Sequence, residues 1–551
     1  MTVGEDEILR QKKTVEKNSD GVNRTFVPLP NASLDGLLEK KIIEKGNTAY
    51  RIISKSVTEY HFIVPFDLSD SERVEVGQIF SVKDKSIIFL ARVRDIQHDS
   101  NYNGNWDTSL RGTQFFDKDQ IFNRVIAEPL GCVQAGKFKK SRTIPTKFSQ
   151  VRRAEKDEFK FLRDAMGDIE IGYLRNGSMV VEEIPVALHS TAIDHHMGVF
   201  ATTGMGKSNF MKVFAASCMR LYARNESRFG LLIVDPHGEY LKGKASVKGL
   251  MHLQRYADGL ACYSTDKKNS SDPGVEELRI SMKEVNVGDI SVLYDWSVAQ
   301  RDALESISRV FRSSWLEEIL KPEGIGCLVS EGFGENTISV ISRRVKNLLE
   351  NNSYIDPVRS SIPSILSNLQ AGKVVLVDIP RMSERSEFFL LSIFSRCLLD
   401  NYKEENSEDK KNCLITIEEA QRVLGSGSNI YYFETIAREG RKFGVGLCAV
   451  TQQPKLIDKQ LLSQFNTLVV MGLADRNDRI QLEESAKQDL SSLDIEIQTL
   501  EKGEAIISSL GIPFPVPVKI HSYEDYLRRM EKEDSFDEQP LSRRRFKPIF
   551  D

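Results

Sequence analysis

A chain of 551 residues is long enough for two or more domains with large cores. Hydrophobic residues make up 40% and charged residues 28%, as in ordinary globular proteins, and no apolar run approaches the length of a membrane helix. The 75 basic and 79 acidic residues give a formal net charge of −4. This balance excludes a general attraction for polyanions, so any nucleic acid must bind a local surface.

The cysteine pattern and the N-terminal composition indicate a cytoplasmic protein. The seven cysteines are scattered without a C-x-x-C pair, which predicts reduced thiols and no zinc site. The first residues are polar and lack the apolar segment of a secretory signal peptide. We therefore expect a cytoplasmic location and no membrane segment.

The N-terminal part of the chain is predicted to be rich in β-strands. Residues 1–35 are polar and predict a mobile tail. Residues 36–150 contain short β-like runs, such as EYHFIVPF and SIIFLARVRDI, separated by turn residues. This pattern predicts a small β-barrel or sandwich, which we expect to serve assembly or docking without chemistry of its own. The charged stretch 148–160 predicts a linker.

The segment Ile193–Lys212, IDHHMGVFATTGMGKSNFMK, contains a phosphate-loop pattern. An apolar strand over Met197–Thr202 leads into a glycine turn, then Lys207 and Ser208, then apolar residues at helical spacing. This order predicts a loop whose N–H groups bind the phosphates of ATP, with Lys207 adding charge and Ser208 ligating Mg²⁺. Ala201 stands where such loops most often have glycine, and alanine is small enough to be tolerated. The residues expected to contact the nucleotide are Thr202, Thr203, Gly204, Met205, Gly206, Lys207, Ser208 and Asn209.

Further apolar strands alternate with helical patterns across residues 165–520. The strands are predicted at 229–235, 374–379, 413–419, 445–452, 467–473 and 504–509. The alternation predicts an α/β fold with a mostly parallel sheet covered on both faces. Residues 290–370 depart from this rhythm, because their apolar residues recur at helical spacing, and they predict a helical insertion beside the sheet.

The C-terminal residues 521–551 are predicted to form a charged helix followed by the basic tail Arg543–Lys547. This tail is either a solvated C-terminus or an arm that contacts a neighbouring subunit or DNA.

Hydrolysis at a phosphate loop requires a carboxylate for Mg²⁺ and a group that orients the attacking water. The strand of residues 414–417 ends in Glu418 and Glu419, one suited to the metal and the other to general-base catalysis. Asp235 ends an earlier strand, at the edge where ligands bind in open α/β sheets, and can join the magnesium shell. Gln452 follows the next strand and is placed to contact the γ-phosphate or the water.

Two arginines follow the acidic pair. Arg438 and Arg441 are three residues apart, which predicts one face of a helix that ends at Gly444. Either can stabilise transition-state charge at a neighbour's ATP, or form ion pairs with nearby glutamates. His195 and His196, just before the first strand, are expected to be structural histidines.

Taken in order, these motifs resemble a known family. The stretches FATTGMGKSN, LLIVDPHGEYL, LITIEEAQRVL and IAREGRKFGVGLCAVTQQP are similar to those of the HerA ATPases, in the HerA/FtsK branch of P-loop motors. The resemblance covers about residues 40–520. It implies a RecA-like core, a HAS-barrel-like N-terminal domain and a helical bundle in the insertion. It also implies a homohexameric ring that hydrolyses ATP and pumps double-stranded DNA through its channel.

The resemblance assigns roles to the candidate residues. It implies contacts to phosphate and Mg²⁺ by Lys207 and Ser208, metal binding by Glu418, base catalysis by Glu419, sensing by Gln452 and a finger donated in trans by Arg441. Two residues depart from the family pattern. Gln453 stands where arginine is frequent, and Gln421 stands where histidine is common. Both departures leave ATP chemistry intact and bear on how hydrolysis is coupled.

HerA-like proteins work with a second protein docked on the ring, so the resemblance also implies a partner. In archaea this is commonly the nuclease NurA, in DNA-end resection. In bacterial defence operons it can be a sirtuin-type or other nuclease effector. The sequence contains no nuclease constellation of its own, so cutting has to come from the partner.

Two functions share the same catalytic residues. In the first, ATP hydrolysis drives movement along duplex DNA, with Arg381 and Arg385 as candidate channel residues. In the second, a nucleotide-gated ring chiefly assembles and activates a nuclease or NADase effector. A protein-remodelling ATPase is disfavoured, because nothing outside the core suggests a peptide-binding module.

Overall fold

Two β-sheets organise the chain, and their strands have different burial patterns. The computed structural model describes residues 50–65, 73–100, 121–193, 196–244, 247–291, 293–404, 410–425 and 431–532. The predicted tail of residues 1–35, the basic tail Arg543–Lys547 and His195 lie outside the described residues.

The first sheet is antiparallel. Its strands are β1 (Tyr50–Lys55), β2 (Tyr60–Pro65), β3 (Ile79–Asp84), β4 (Ile87–Ser100), β5 (Ile121–Gln134), β6 (Lys137–Lys139) and β7 (Gln150–Arg153). They are ordered β2-β1-β7-β3-β4-β5-β6, and β2 also pairs with β5, so all of them except β6 form a closed ring of pairings. Buried and half-buried residues alternate along β2, and its Phe62 packs on Phe80 inside the ring with ring centroids 5.0 Å apart.

The predicted linker of residues 148–160 is structured. Strand β7 pairs with both β1 and β3, and Lys156–Phe159 form a 3₁₀ helix. The linker prediction is wrong because Val151 is fully buried between two strands that are distant in the sequence. Charge content alone does not reveal such pairing.

The second sheet has twelve strands in the order β13-β12-β16-β11-β17-β18-β10-β19-β20-β21-β8-β9. These strands are β8 (Ile169–Asn176), β9 (Met179–Leu188), β10 (Met197–Phe200), β11 (Phe229–Asp235), β12 (Leu260–Ser264), β13 (Val275–Glu277), β16 (Val374–Asp378), β17 (Asn412–Ile417), β18 (Val445–Thr451), β19 (Thr467–Met471), β20 (Glu504–Ser509) and β21 (Val516–Ile520). A separate parallel pair is formed by β14 (Ile280–Ser281) and β15 (Ile355–Asp356).

The second sheet is mixed. Neighbouring strands are parallel from β13 to β19, whereas β20, β21, β8 and β9 continue it in antiparallel fashion. The predicted α/β fold is confirmed, and the strand predicted at residues 504–509 is present as β20, antiparallel to β19. A short buried apolar run has the same pattern in either direction, so strand polarity is not encoded in it.

Helices cover both faces of this sheet. Along β11, Leu231 and Ile233 belong to one apolar cluster, while Leu232 and Val234 belong to another. The described α-helices are Lys160–Ala165, Ser190–Ile193, Lys207–Ala223, Val287–Ser291, Val298–Phe311, Trp315–Glu318, Pro322–Ser330, Glu335–Asn351, Ile362–Gln370, Glu384–Glu404, Tyr431–Glu439, Lys459–Leu462, Arg476–Ser485, Asp494–Thr499 and Tyr523–Lys532.

Residues 290–370 are largely helical, as their periodicity predicts. Leu304, Ile307 and Trp315 are fully buried and belong to the apolar cluster on one face of the sheet. Val310, at the same spacing, is instead 52% exposed. The β14–β15 pair joins the residues before the helix Val287–Ser291 to those after the helix Glu335–Asn351.

Two further features concern the cysteines and the helices. All seven cysteines are among the described residues, and each is a free thiol. None of the described helices is both long enough and apolar enough to span a bilayer.

A buried ion network connects the two sheets. Glu496, in the helix Asp494–Thr499, is 2% exposed and lies 2.7 Å from Arg175 of β8 and 4.0 Å from Arg92 of β4. The Arg92 guanidinium also donates to the Pro515 carbonyl oxygen. Burial lowers the pKa of Arg92, and the negative charge of Glu496 opposes that shift. The network therefore depends on mutual compensation of buried charges.

We expect the substitution Glu496→Gln to destabilise the protein by about 3 kcal/mol, because two buried guanidinium groups lose their counter-charge. Urea unfolding followed by tryptophan fluorescence measures the change. The control Glu183→Gln removes one partner of the exposed Lys156–Glu183 pair and should leave the unfolding midpoint unchanged. Equal midpoints for both variants would contradict the role given to the network.

Candidate functional site

The phosphate-loop sequence connects β10 to the helix Lys207–Ala223. Gly204 and Gly206 have φ angles of 85° and 107°, a region that residues with a Cβ atom rarely adopt. The Thr202 N–H and hydroxyl both donate to the Gly472 carbonyl oxygen, and the Met205 carbonyl oxygen accepts the Gly503 N–H. The loop is therefore held by the segments that follow β19 and precede β20.

Lys207 and Ser208 begin the helix, with their side chains inside the loop region. The Lys207 ammonium donates to the Ala201 carbonyl oxygen at 2.9 Å, across the loop. Burial lowers the pKa of Lys207, whereas the nearby carboxylates of Glu419, Glu418 and Glu239 act in the opposite direction. The Ser208 hydroxyl donates to Glu239 Oε2 at 2.6 Å.

Glu239 is a site residue that the sequence analysis missed. Asp235 ends β11, and its two carboxylate oxygens accept the backbone N–H groups of His237 and Tyr240 at 3.0 and 2.8 Å. These bonds fold the turn so that Glu239 reaches Ser208. The magnesium role assigned to Asp235 stays a prediction, while the carboxylate in contact with Ser208 is that of Glu239. The only signal in the sequence was the position of Glu239 four residues after the strand end.

Glu418 and Glu419 lie at the end of β17 and face different neighbours. Glu418 accepts a hydrogen bond from the Tyr240 hydroxyl. Burial raises the pKa of Glu418 to about 7, with Asp235 and Glu419 adding to the shift and the Tyr240 hydroxyl and Lys207 opposing it. Glu419 has a left-handed backbone, with φ of 48° and ψ of 45°.

Gln452 connects the phosphate loop to Glu419. Its Oε1 accepts a hydrogen bond from the Thr203 hydroxyl, and its Nε2 donates to Glu419 Oε1 at 3.1 Å. Strand β18, which precedes Gln452, lies between β10 and β17 in the sheet. The structure thus brings together the loop, the acidic pair and Gln452, as the sequence predicts.

Arg438 and Arg441 are both exposed. The α-helix ends at Glu439, and Gly440–Phe443 form a 3₁₀ turn that stops at Gly444, whose φ is 78°. The predicted helix end at Gly444 is thus confirmed, although the last turn is 3₁₀, so Arg438 and Arg441 lie in different types of helix. Gly440 packs closely on the next strand, since a Cβ atom there would lie 2.3 Å from the Val445 carbonyl oxygen. Within the described part of the chain, neither arginine forms an ion pair.

Asn209 and His196 have partners within the fold. The Asn209 side chain donates to the His521 carbonyl oxygen and accepts the Tyr523 N–H, each at 2.8 Å, so it ties the loop helix to the C-terminal segment. Its contact with nucleotide stays a prediction. His196 is buried, and its Nδ1 accepts the Leu447 N–H at 2.9 Å, as expected of a structural histidine.

Arg381 and Arg385 lie apart from the phosphate loop. Both line a cavity of about 540 Å³ at the end of β16, beside the helical segment of residues 290–370. Arg381 is 82% exposed and pairs with Asp266 at 2.5 Å. Their assignment to a DNA channel stays a prediction.

The raised pKa of Glu418 predicts a pH-dependent stability. Between pH 4.5 and about 7 the unfolded chain has lost the Glu418 proton that the folded chain keeps, so stability falls as pH rises through this window. Glu418→Gln removes the titration. We therefore expect the free energy of unfolding of the variant, relative to the wild type, to rise by about 2 kcal/mol from pH 4.5 to pH 8.

Urea unfolding of the ligand-free protein at both pH values measures this difference. If the unfolding free energy of Glu418→Gln relative to the wild type is the same at both pH values, the raised pKa of Glu418 is contradicted.

Comparisons with known proteins agree with this geometry. Residues 169–398 match the family model described as the central domain of the helicase HerA. The chain is 28% identical over 386 residues to the DNA double-strand break repair helicase HerA of Saccharolobus solfataricus, covering 68% of this chain and 73% of that protein. It is 25% identical to the protein of the same name from Pyrococcus furiosus, covering 85% of this chain and 91% of that one.

A third relative and one solved structure complete the comparison. The probable helicase MJECL08 of Methanocaldococcus jannaschii is 24% identical and is aligned over 86% of this chain and 96% of its own length. The plasmid coupling protein TrwB, solved with ADP and Mg²⁺, is 17% identical over 61% of this chain and 88% of its own, with a TM-score of 0.42, too low to carry an argument. The phosphate loop, the paired acids and the match of residues 169–398 to the HerA central domain together support a HerA-type ATPase.

Proposed function

We propose that the protein is a homohexameric, ATP-driven translocase of double-stranded DNA that works with a docked nuclease or defence effector. The observation that carries the proposal is the hydrogen-bonded connection from Thr203 of the phosphate loop through Gln452 to Glu419. It joins the residues that bind a triphosphate to the acid suited to activate water. ATP hydrolysis needs the residues that bind the triphosphate and the acid that activates water to be in contact.

The donor set around Ser208 fits Mg²⁺. Magnesium prefers oxygen ligands and is usually held by one or two carboxylates together with phosphate oxygens. The Ser208 hydroxyl, Glu239 and Glu418 supply such oxygens, and Asp235 lies next to them in the sheet. We assign the metal to Ser208 and Glu418, with Asp235 as a further candidate and Glu239 accepting a hydrogen bond from the Ser208 hydroxyl. Bound Mg²⁺ would neutralise the charge of the β- and γ-phosphates.

Lys207 and the loop amides would bind the phosphates. In the present structure the Lys207 ammonium contacts the Ala201 carbonyl oxygen, a neutral partner that a phosphate can replace. Lys207, Ser208 and Asn209 present their backbone N–H groups at the helix N-terminus, where the helix dipole favours anions. Glu419 would then accept a proton from the attacking water, while Gln452 senses the γ-phosphate.

We expect Lys207→Ala to abolish ATP hydrolysis, because the phosphates lose their cation, and Glu419→Gln to bind ATP without hydrolysing it. Phosphate release and the binding of a fluorescent ATP analogue measure the two properties. Near-wild-type hydrolysis in either variant would refute the site.

The same phosphate-release assay tests whether double-stranded DNA is a partner. The relatives named as DNA double-strand break repair helicases support a duplex DNA substrate. Hydrolysis by the purified ring should rise on addition of duplex DNA, and the stimulation should weaken with salt because phosphate contacts dominate such binding. Arg381 and Arg385 are the candidate channel contacts. A rate of ATP hydrolysis that is unchanged by DNA and rises only with a protein partner would favour the scaffold function instead.

The exposed arginines support a site completed by a neighbouring subunit. The described residues around Lys207 and Glu419 include no arginine among their hydrogen-bond partners, whereas Arg441 is exposed and makes no ion pair within the described residues. An arginine donated in trans would stabilise the charge of the transition state. We therefore assign this role to Arg441, with Arg438 as the alternative.

A mixing experiment tests that assignment. Rings of Glu419→Gln subunits lack the base, and rings of Arg441→Ala subunits lack the finger. Mixed rings, co-expressed with two affinity tags, should regain part of the hydrolysis, because an intact base then meets an intact arginine. Arg438→Ala is the matched control and should hydrolyse ATP by itself. Undiminished hydrolysis by rings made only of Arg441→Ala subunits would contradict the role given to Arg441.

The first sheet would serve assembly and docking. Its closed ring of strand pairings supports the small HAS-barrel-like domain expected for residues 36–150, followed by the RecA-like core. The expected partner is a NurA-like nuclease in DNA-end processing, or a sirtuin-like or other nuclease effector in anti-phage defence. The buried Glu496 network would transmit force between the docking domain and the core.

A further inference from the structure

Glu419 has a second side-chain partner, Gln421, that the proposed mechanism does not use. Gln421 Nε2 donates to Glu419 Oε2 at 2.8 Å, on the oxygen that Gln452 leaves free. Gln421 Oε1 accepts a hydrogen bond from the Thr451 hydroxyl at the end of β18. The Glu419 carboxylate is thus held on both oxygens, one by a residue bound to the phosphate loop and one by a residue bound to the sheet.

The direction of each hydrogen bond orients the Gln421 amide. Thr451 Oγ1 accepts the Gln453 N–H at 3.0 Å, so the hydroxyl proton is available to Gln421 Oε1. Rotating the amide by 180° would set its oxygen against the Glu419 carboxylate and break both bonds. The NH₂ group of Gln421 therefore faces Glu419, and Thr451 keeps it there.

Glu419 needs such support because its backbone is left-handed. A non-glycine residue in that region is strained and persists only when its surroundings hold it. In the proposed mechanism Gln452 senses the γ-phosphate, and turning towards that phosphate would remove its hydrogen bond to Glu419 Oε1. Among the described residues, Gln421 is then the side chain that still donates a hydrogen bond to the Glu419 carboxylate.

We propose that Gln421, oriented by Thr451, is a positioning residue that keeps Glu419 aimed at the attacking water when Gln452 engages the γ-phosphate. This inference rests on the proposed function, in which Glu419 is the catalytic base.

The first test compares two substitutions at position 421. Gln421→Leu keeps the approximate size and removes the donor, and we expect kcat for ATP hydrolysis to fall about tenfold, while KM and the affinity for an ATP analogue stay within about twofold. Gln421→His restores an N–H donor and should recover most of kcat. A raised KM at unchanged kcat would overturn the proposal, because it would indicate a role in binding.

The second test is a double-mutant cycle. Thr451→Val removes the hydroxyl at constant shape and should lower kcat about threefold, since the Gln421 amide loses its orientation. The double variant with Gln421→Leu should be no slower than Gln421→Leu alone, because Thr451 acts through Gln421. Independent, multiplying effects would overturn the coupling. If Gln421→Leu does not fold, an unchanged kcat in Thr451→Val overturns the proposal.

Gln488 provides a matched control. It also accepts a hydroxyl hydrogen bond, from Ser508 at 2.9 Å, and donates to a single oxygen, the Ile512 carbonyl, at 2.7 Å. Gln488→Leu should leave kcat unchanged. If Gln421→Leu keeps the wild-type kcat while Glu419→Gln is inactive, only the role given to Gln421 is refuted. If the wild-type protein hydrolyses no ATP, the proposed function itself is refuted.

Discussion

The parallel alignment of three strands is the constraint on which the site depends. Strand β18 lies between β10 and β17, with Phe200 opposite Thr451 and Ile417 opposite Ala449. Because parallel strands end at the same edge, the phosphate loop, Gln452 and the acidic pair emerge side by side. Each of these groups follows its strand by only one or two residues. A different strand order would separate them without changing any local motif.

The buried charges at this edge compensate one another only in part. Glu418 and Glu239 lie close to Ser208 and Lys207, and burial raises the pKa of Glu418 while it lowers that of Lys207. Both shifts mean that burial disfavours the charged forms more than the neighbouring charges favour them. The proposed magnesium triphosphate would supply positive charge to the carboxylates and negative charge to the lysine.

The phosphate loop is also linked to the rest of the molecule by its own backbone. The Met205 carbonyl oxygen accepts the Gly503 N–H, next to Glu504, which lies 3.9 Å from Arg175 of the buried network. That network continues through Glu496 to Arg92 of the first sheet. A contiguous series of contacts therefore runs from the phosphate loop to the N-terminal sheet.

Local patterns alone determined the phosphate loop with Lys207 and Ser208, the acids at the end of β17 and the helical character of residues 290–370. Each depends on neighbours in the chain, because strand length, glycine turns and helical spacing are properties of short segments. Only the tertiary structure revealed the contacts of Glu239 with Ser208 and of Gln421 with Thr451, the antiparallel β20 and the pairing of β7. These join residues distant in sequence, and their meeting is decided by the order and direction of strands in a sheet, which a single apolar run does not encode.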